Sequence, residues 1–212
     1  MKNKKTYYQI ILDQSGSMSD CIQPTISGFN EQLQLIQDMK EKFPEQEVVI
    51  SLTTFNHEVT PLLRMVDPAQ ASELNRSTYR PAGMTALYDA IGFTVSALKE
   101  QAGIEIKDDK ASAVIVVITD GYENSSRTFN YETIRNMIKE LDNHRNWTFS
   151  YLGATLDAME VARDLNINSR NAMVFDKADM AGTWEVLRDS HDNYMSEKGK
   201  GRVRKGFLKK KK

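Results

Sequence analysis

The sharpest change of pattern in this chain falls at Asp13-Gln14-Ser15-Gly16-Ser17. The stretch follows an apolar run, Tyr7-Tyr8-Gln9-Ile10-Ile11-Leu12, which predicts a buried strand, and it precedes a segment with helical periodicity. One carboxylate and two hydroxyls therefore stand on a tight turn at the carboxyl end of a strand. In open α/β sheets ligands bind at that edge, and ligands that are all oxygen suit a hard divalent cation such as Mg²⁺. We expect this turn to hold such an ion.

Strand and helix patterns alternate along most of the chain. The apolar residues predict strands over 6–13, 47–55, 59–66, 112–119, 147–152 and 172–175 and helices over 24–42, 86–101, 131–141, 157–165 and 180–195, with a charged connection over 103–110. Residues 47–66 form a hairpin in this prediction, which places one antiparallel strand at an edge. We therefore predict an α/β fold with a doubly wound, mostly parallel central sheet, one antiparallel edge strand and helices on both faces.

Length and charge predict one domain and a separate tail. The 212 residues, of which 40% are hydrophobic and 27% charged, are ordinary for one globular core. The net charge of −1 conceals an asymmetry, because 197–212 hold nine Lys or Arg and one acidic residue. We predict a single domain over 1–195 and a basic tail over 196–212. The tail offers too little apolar surface to offset its ordering entropy, so we expect it to be disordered.

Cysteine content and hydropathy favour the cytoplasm and give no sign of a membrane. The only cysteine, Cys21, has no partner for an intrachain disulfide, so nothing indicates an oxidising compartment. No apolar run is long enough to span a bilayer. The basic start leads into a short apolar run without a small-residue cleavage site, so we interpret it as the beginning of a strand.

Two further turns are expected at the same edge of the sheet. The loop Pro81-Ala82-Gly83-Met84 ends in Thr85 at the start of a helix, and the apolar run 112–119 ends in Asp120. Thr85 alone would be read as a helix N-cap, and Asp120 alone as a turn residue before glycine. Together with the first turn they offer two carboxylates and three hydroxyls, and this combination favours a metal site.

The three motifs, in this order, resemble the von Willebrand factor A domain and its metal-ion-dependent adhesion site. The segments that carry the resemblance are Asp-x-Ser-Gly-Ser-Met, Gly-Met-Thr-Ala-Leu-Tyr-Asp-Ala and Ile-Thr-Asp-Gly. The resemblance covers about residues 6–195 and is greatest for stand-alone cytoplasmic bacterial members. One departure is Gly83-Met84, where the family commonly has two glycines. The positions that match the metal-binding pattern are Asp13, Ser15, Ser17, Thr85 and Asp120.

The resemblance implies a role for each of these residues. Ser15, Ser17 and Thr85 would ligate the ion directly. Asp13 and Asp120 would act largely through water or by orienting the hydroxyls. The ion would be Mg²⁺, or Mn²⁺ or Ca²⁺ in its place, and a partner's Asp or Glu would complete its coordination. We expect the rim around the site, which contacts the partner, to include Met18, Met84 and Glu123.

An enzyme is not expected. A phosphatase of the haloacid-dehalogenase type needs a second Asp two residues after the first, where this chain has Ser15. The Gly-x-Ser-x-Gly elbow and the phosphate-binding Gly-x-x-x-x-Gly-Lys-Ser/Thr loop are both absent. His57, His144 and His191 show no link to one another or to a nucleophile, and we expect them to be solvated.

Two functions remain open at this point, and a metal-dependent phosphatase is a third, less favoured alternative. The first is a metal-dependent protein-interaction module that binds a partner's acidic side chain. The second is a tail-driven binder of nucleic acid or another polyanion, with the domain as its scaffold. A solubilising tail without a binding function is an equally simple interpretation of the basic segment.

Overall fold

A single sheet of six strands organises the computed structural model, which describes residues 4–203 and 205–209. The strand order is β3-β2-β1-β4-β5-β6. Four neighbouring pairs are parallel, and β3 alone runs antiparallel at one edge. The predicted fold class is thereby confirmed. The strands are β1 (Lys5–Asp13), β2 (Glu47–Phe55), β3 (Val59–Val66), β4 (Ala111–Thr119), β5 (Trp147–Gly153) and β6 (Ala172–Val174).

Helices cover both faces of the sheet. They are α1 (Ile22–Lys42), α2 (Leu87–Lys107), α3 (Tyr131–Asp142), α4 (Ala158–Asp164) and α5 (Met180–Gly199). Side chains of α1 and α5 pack on one face, and those of α2, α3 and α4 pack on the other. All nine residues of β4 are buried, as expected for a central strand with both faces covered. Among the described residues, no helix combines the length and the apolar character needed to cross a bilayer.

Two segments differ from the predicted elements. Helix α2 continues to Lys107, through part of the stretch predicted as a charged connection. Ile106 explains the extension, because its buried side chain joins the core beneath the last turn. Before α1, Gly16–Cys21 form a 3-10 turn. This turn places Met18 and Cys21 in the core on the α1 side of the sheet.

The tail predicted to be disordered packs on the domain over its described part. Helix α5 continues beyond the predicted boundary to Gly199. Phe207 is 1% exposed, and its ring centroid lies 6.0 Å from that of Tyr8 and 5.9 Å from that of Tyr194. The backbone N–H of Phe207 donates to Asn171 Oδ1 at 2.7 Å. One aromatic side chain therefore anchors a segment whose average composition is polar. Residues 204 and 210–212 of the predicted tail lie outside the described part.

Several basic residues of the tail also bind the domain. Lys198 Nζ donates to Lys5 O at 2.6 Å, Thr6 Oγ1 at 2.6 Å and Ser112 Oγ at 2.9 Å. Burial lowers the pKa of Lys198 to about 7. Lys205 pairs with Asp142 at 3.3 Å. The described tail is thus part of the domain surface, and not a free polycationic chain.

Candidate metal centre

The carboxyl edge of the sheet brings the first and third turns side by side. Strands β1 and β4 are parallel neighbours with Leu12 opposite Ile118, so the residues that follow them leave the sheet together. Asp13 is fully buried at this edge. Its Oδ2 accepts a hydrogen bond from Thr119 Oγ1 at 2.5 Å, and its Oδ1 accepts one from the Ser15 N–H at 2.6 Å. Both carboxylate oxygens of Asp13 are therefore fixed in direction.

Two serine hydroxyls and the second carboxylate form a short chain of hydrogen bonds. Ser15 Oγ lies 3.1 Å from Ser17 Oγ, and Ser17 Oγ donates to Asp120 Oδ1 at 2.6 Å. Ser15 is 2% exposed, whereas Ser17 is exposed. Ser17 is thus the exposed member between two buried side chains, so a ligand would approach from the side of Ser17.

Thr85 reaches the same place from the second turn. A Cβ placed on Gly121 would lie 2.9 Å from Thr85 Oγ1 and 3.7 Å from Asp13 Oδ2, so both side chains lie beside the residue that directly follows Asp120. Asn124 holds Thr85 from both sides: its Oδ1 accepts from the Thr85 N–H at 2.8 Å, and its N–H donates to Thr85 O at 3.0 Å. The sequence analysis did not identify this positioning role of Asn124.

The loop before Thr85 depends on a left-handed glycine. Gly83 has a φ of +75°, and a Cβ there would collide with the imidazole of His57. The Gly83 carbonyl accepts a hydrogen bond from the Gly16 N–H at 3.0 Å. This contact ties the second turn directly to the first.

Two acidic residues near the site are used for structure. The Asp89 carboxylate accepts from the N–H groups of Arg127, Thr128 and Phe129. Glu123, predicted for the rim, accepts from the N–H groups of three residues and from the Ser126 hydroxyl. Both carboxylates therefore hold the loop that follows Gly121 against the start of α2.

Burial of Asp13 raises the pKa of its carboxyl, and the hydrogen bonds from Thr119 and Ser15 oppose the rise. The negative charge of Asp120 adds to it. The same negative charge of Asp120 that raises the proton affinity of Asp13 also attracts a cation. The site therefore favours positive charge between its two acidic residues.

The donor set fits a small, hard divalent ion. In an octahedral Mg²⁺ site with bonds of about 2.1 Å, neighbouring ligand oxygens lie about 3.0 Å apart. The separation of Ser15 Oγ and Ser17 Oγ, 3.1 Å, matches this edge. No group of three or more His, Cys, Asp or Glu side chains able to hold a metal occurs in the part of the chain that the structure describes. A metal centre here would therefore depend on hydroxyl oxygens.

The rim of the centre is apolar on one side. Met84, which was predicted for the rim, is 52% exposed, and Tyr122 and Leu156 are 57% and 101% exposed. All three lie in loops that start or end beside the carboxyl edge of the sheet. Met18, which was also predicted for the rim, is fully buried because the 3-10 turn directs it into the core. That prediction is wrong.

A lysine also contacts the candidate centre. Lys177 follows β6 and lies in the 3-10 turn Lys177–Asp179. Its Nζ is 2.8 Å from Asp120 Oδ2 and 3.0 Å from Asp20 Oδ2. It also donates to the Ser17 carbonyl at 2.9 Å. The sequence analysis did not connect Lys177 with the site, and no local motif marks it.

The family comparison agrees with the geometry. The model of the von Willebrand factor type A domain matches residues 9–189. No curated protein matches the chain.

Solved structures show the same fold at low sequence identity. The ArnB paralog VWA2 from Sulfolobus acidocaldarius superposes with a TM-score of 0.58 at 16% identity, over 90% of this chain and 46% of that one. Manganese-loaded Plasmodium vivax TRAP protein gives 0.56 at 17%, over 86% and 72%. Proximal thread matrix protein 1 from the mussel byssus, with a zinc-occupied MIDAS motif, gives 0.54 at 13%, over 88% and 45%. This chain spans about half the length of the first of these relatives.

Proposed function

Because the chain belongs to the von Willebrand factor type A family, we propose that it is a metal-dependent protein-interaction module. Ser15, Ser17 and Thr85 hold a divalent cation, which is Mg²⁺ or, in its place, Mn²⁺ or Ca²⁺. Asp13 and Asp120 orient these ligands and balance the charge. When bound, the cation supplies a coordination position for a carboxylate oxygen of the partner.

The observation that carries this proposal is the spacing and direction of the hydroxyls. Ser15 Oγ and Ser17 Oγ are separated by the edge length of an octahedral site, and Asp120 fixes the Ser17 hydroxyl from behind. Three neutral hydroxyl ligands leave most of the charge of a divalent ion uncompensated, so a partner's carboxylate is attracted strongly. The manganese in one structural relative and the zinc in another give further support.

The rim indicates what surrounds the partner's acidic residue. Met84, Tyr122 and Leu156 are large apolar side chains that are exposed in loops at this edge of the sheet. We propose that the partner presents an Asp or Glu flanked by bulky apolar side chains. The partner's carboxylate contacts the metal. The flanking apolar side chains pack against the rim, and these contacts add affinity and distinguish one partner from another.

A binding role fits the site better than catalysis. Ser15 and Ser17 hydrogen-bond to each other and to a carboxylate, and neither contacts an imidazole among the described residues. Acyl transfer needs a base that takes the proton of the nucleophile. We also propose the cytoplasm as the location, consistent with a single buried, unpaired cysteine.

The alternative of polyanion binding by the tail loses support from the contacts of the tail. Lys198 is buried, Lys205 pairs with Asp142 of the domain, and Lys200 pairs with Glu197 within the tail. These lysines are therefore less available to bind a polyanion than the lysines of a free chain. We therefore propose the metal-dependent module alone.

Calorimetric titration with Mn²⁺ tests the metal half of the proposal. Thr85→Ala removes one direct ligand, and we expect it to weaken Mn²⁺ binding at least about tenfold. Thr94→Ala is the matched control, because Thr94 lies on α2, the helix that begins just after Thr85, but its hydroxyl donates to that of Thr53 on β2. Equal Mn²⁺ affinity of Thr85→Ala and the control would refute the assignment of Thr85.

An arrayed peptide library tests the partner half. Peptides that contain Asp or Glu beside large apolar residues should be retained in Mg²⁺ and released by EDTA. Replacing the acidic residue with Asn or Gln should abolish retention, because the neutral amide binds the cation less tightly. Retention that survives both EDTA and this replacement would contradict the proposal.

A further inference from the structure

Lys177 is the feature of this site that the metal-binding pattern leaves unexplained. Its ammonium contacts three acceptors: Asp120 Oδ2 at 2.8 Å, Ser17 O at 2.9 Å and Asp20 Oδ2 at 3.0 Å. Ser17 lies 160 residues before Lys177 in the chain. The ammonium donates one hydrogen bond, to the Ser17 carbonyl, and forms ion pairs with Asp120 and Asp20.

The contact with Asp120 is the important one. The Asp120 side chain is only 1% exposed, and the Lys177 side chain is 29% exposed. Asp120 Oδ1 accepts from Ser17 Oγ, so with Lys177 at Oδ2 both carboxylate oxygens are engaged. A buried carboxylate without a partner is costly, and Lys177 supplies that partner from within the chain.

We propose that Lys177 is an affinity determinant of the metal centre. Its fixed positive charge balances Asp120 in the metal-free protein and repels a divalent cation that binds at Ser15, Ser17 and Thr85. The centre thus binds its metal more weakly than its five oxygen-bearing side chains alone would. This inference rests on the proposed function, since it presupposes that the cation binds there.

A purely structural role is the competing explanation. Lys177 could simply pin the segment between β6 and α5 to the turn that contains Ser17 and Asp20. In that case its removal would lower the melting temperature by the same amount with and without metal. A role in metal affinity instead changes the difference between the two conditions.

The test compares Mn²⁺ binding and melting of Lys177→Gln with the full-length wild type. Gln is neutral but keeps a donor for Ser17 O, and Lys177→Met serves as a second neutral variant should the first fold poorly. Lys177→Arg keeps the charge. Lys40→Met removes a lysine from an exposed pair with Asp67, remote in sequence from the centre. All are titrated with MnCl₂ by calorimetry and melted in EDTA and in saturating Mn²⁺.

We expect the neutral variants to bind Mn²⁺ about tenfold more tightly, or better, because they lack a like charge beside the ion. Lys177→Arg and Lys40→Met should stay within about twofold of wild type. In EDTA the neutral variants should melt below wild type, and Mn²⁺ should raise their melting temperature by more than it raises that of wild type.

Two results overturn the inference, and they differ in what they leave standing. Equal or weaker Mn²⁺ binding by the neutral variants overturns the role of Lys177 but leaves the metal centre intact. Absence of Mn²⁺ binding by wild type and neutral variants alike overturns the proposed function and this inference with it. Binding by the neutral variants alone supports both.

Discussion

His191 gives the domain a pH dependence that can be measured against a matched control. The residue is fully buried on α5, with its ring edge-on to Tyr8 at a centroid distance of 4.7 Å. Neither ring nitrogen has a hydrogen-bond partner among the described residues. Burial lowers the pKa of His191 from 6.5 to about 4, with the charge of Lys198 acting in the same direction and that of Asp192 against it.

The sign and size of the effect follow from linkage. Between pH 6.5 and about 4 the unfolded chain binds a proton at His191 that the folded chain does not, so stability falls as the pH falls through this window. A fall of the pKa from 6.5 to about 4 lowers the free energy of unfolding by about 3 kcal/mol across this window. Above pH 6.5 this contribution is constant.

Urea unfolding between pH 8 and pH 4, followed by tryptophan fluorescence, tests the prediction in wild type and in His191→Phe. Other groups titrate in the same range, so the quantity of interest is the difference in the free energy of unfolding between the two proteins. We expect it to change by about 3 kcal/mol in favour of the variant as the pH is lowered. His144→Phe is the control, because His144 is exposed. A difference that is independent of pH would refute the reasoning.

Three further predictions concern the tail and the loop at the metal centre. Phe207→Ala should lower the free energy of unfolding by about 3 kcal/mol, because it leaves a cavity beside two aromatic rings; a thermal melt identical to wild type would show that the tail does not pack. Gly83→Ala should lower the melting temperature and weaken Mn²⁺ binding, because a φ of +75° and the adjacent His57 ring exclude a Cβ. A melting temperature and an Mn²⁺ affinity that both equal those of wild type would contradict this. The third prediction concerns Lys198, whose pKa burial lowers from 10.5 in the unfolded chain to about 7 in the folded protein. Between these values only the unfolded chain holds the proton, so the free energy of unfolding of wild type, relative to Lys198→Met, should rise from pH 7 towards pH 10. Parallel curves of unfolding free energy against pH for the two proteins would count against it.

The local patterns were sufficient for the fold. The hairpin over 47–66 was predictable from alternation around a turn pair, and β2 and β3 have the predicted bounds. The central strand β4 was predictable from its unbroken apolar run. Parallel strands joined by helices leave few arrangements other than a doubly wound sheet. The five candidate metal residues were identified through motifs, and the fold brings them to one edge.

Long-range contacts account for most of what the sequence did not reveal. Lys177 reaches Ser17 and Asp120 from a distant part of the chain, and an isolated lysine before a helix resembles any surface residue. Phe207 is a single aromatic residue in a segment rich in Lys and Gly, so average composition predicts disorder although one side chain anchors the segment. Neither position carries a local signal.

His191 is a different case, because a signal was present. Trp184, Leu187, His191 and Tyr194 repeat at intervals of three and four residues, which places the histidine on the buried stripe of α5. Its polar character led to the prediction of a solvated position, and that prediction is wrong. Helical periodicity was the stronger guide here.

Anomalous diffraction from crystals grown in MnCl₂ examines the metal centre most directly. We expect a manganese peak about 2.2 Å from Ser15 Oγ, Ser17 Oγ and Thr85 Oγ1, with Asp13 and Asp120 behind these ligands. A manganese ion bound elsewhere, with these three hydroxyls uncoordinated at saturating Mn²⁺, would contradict the account.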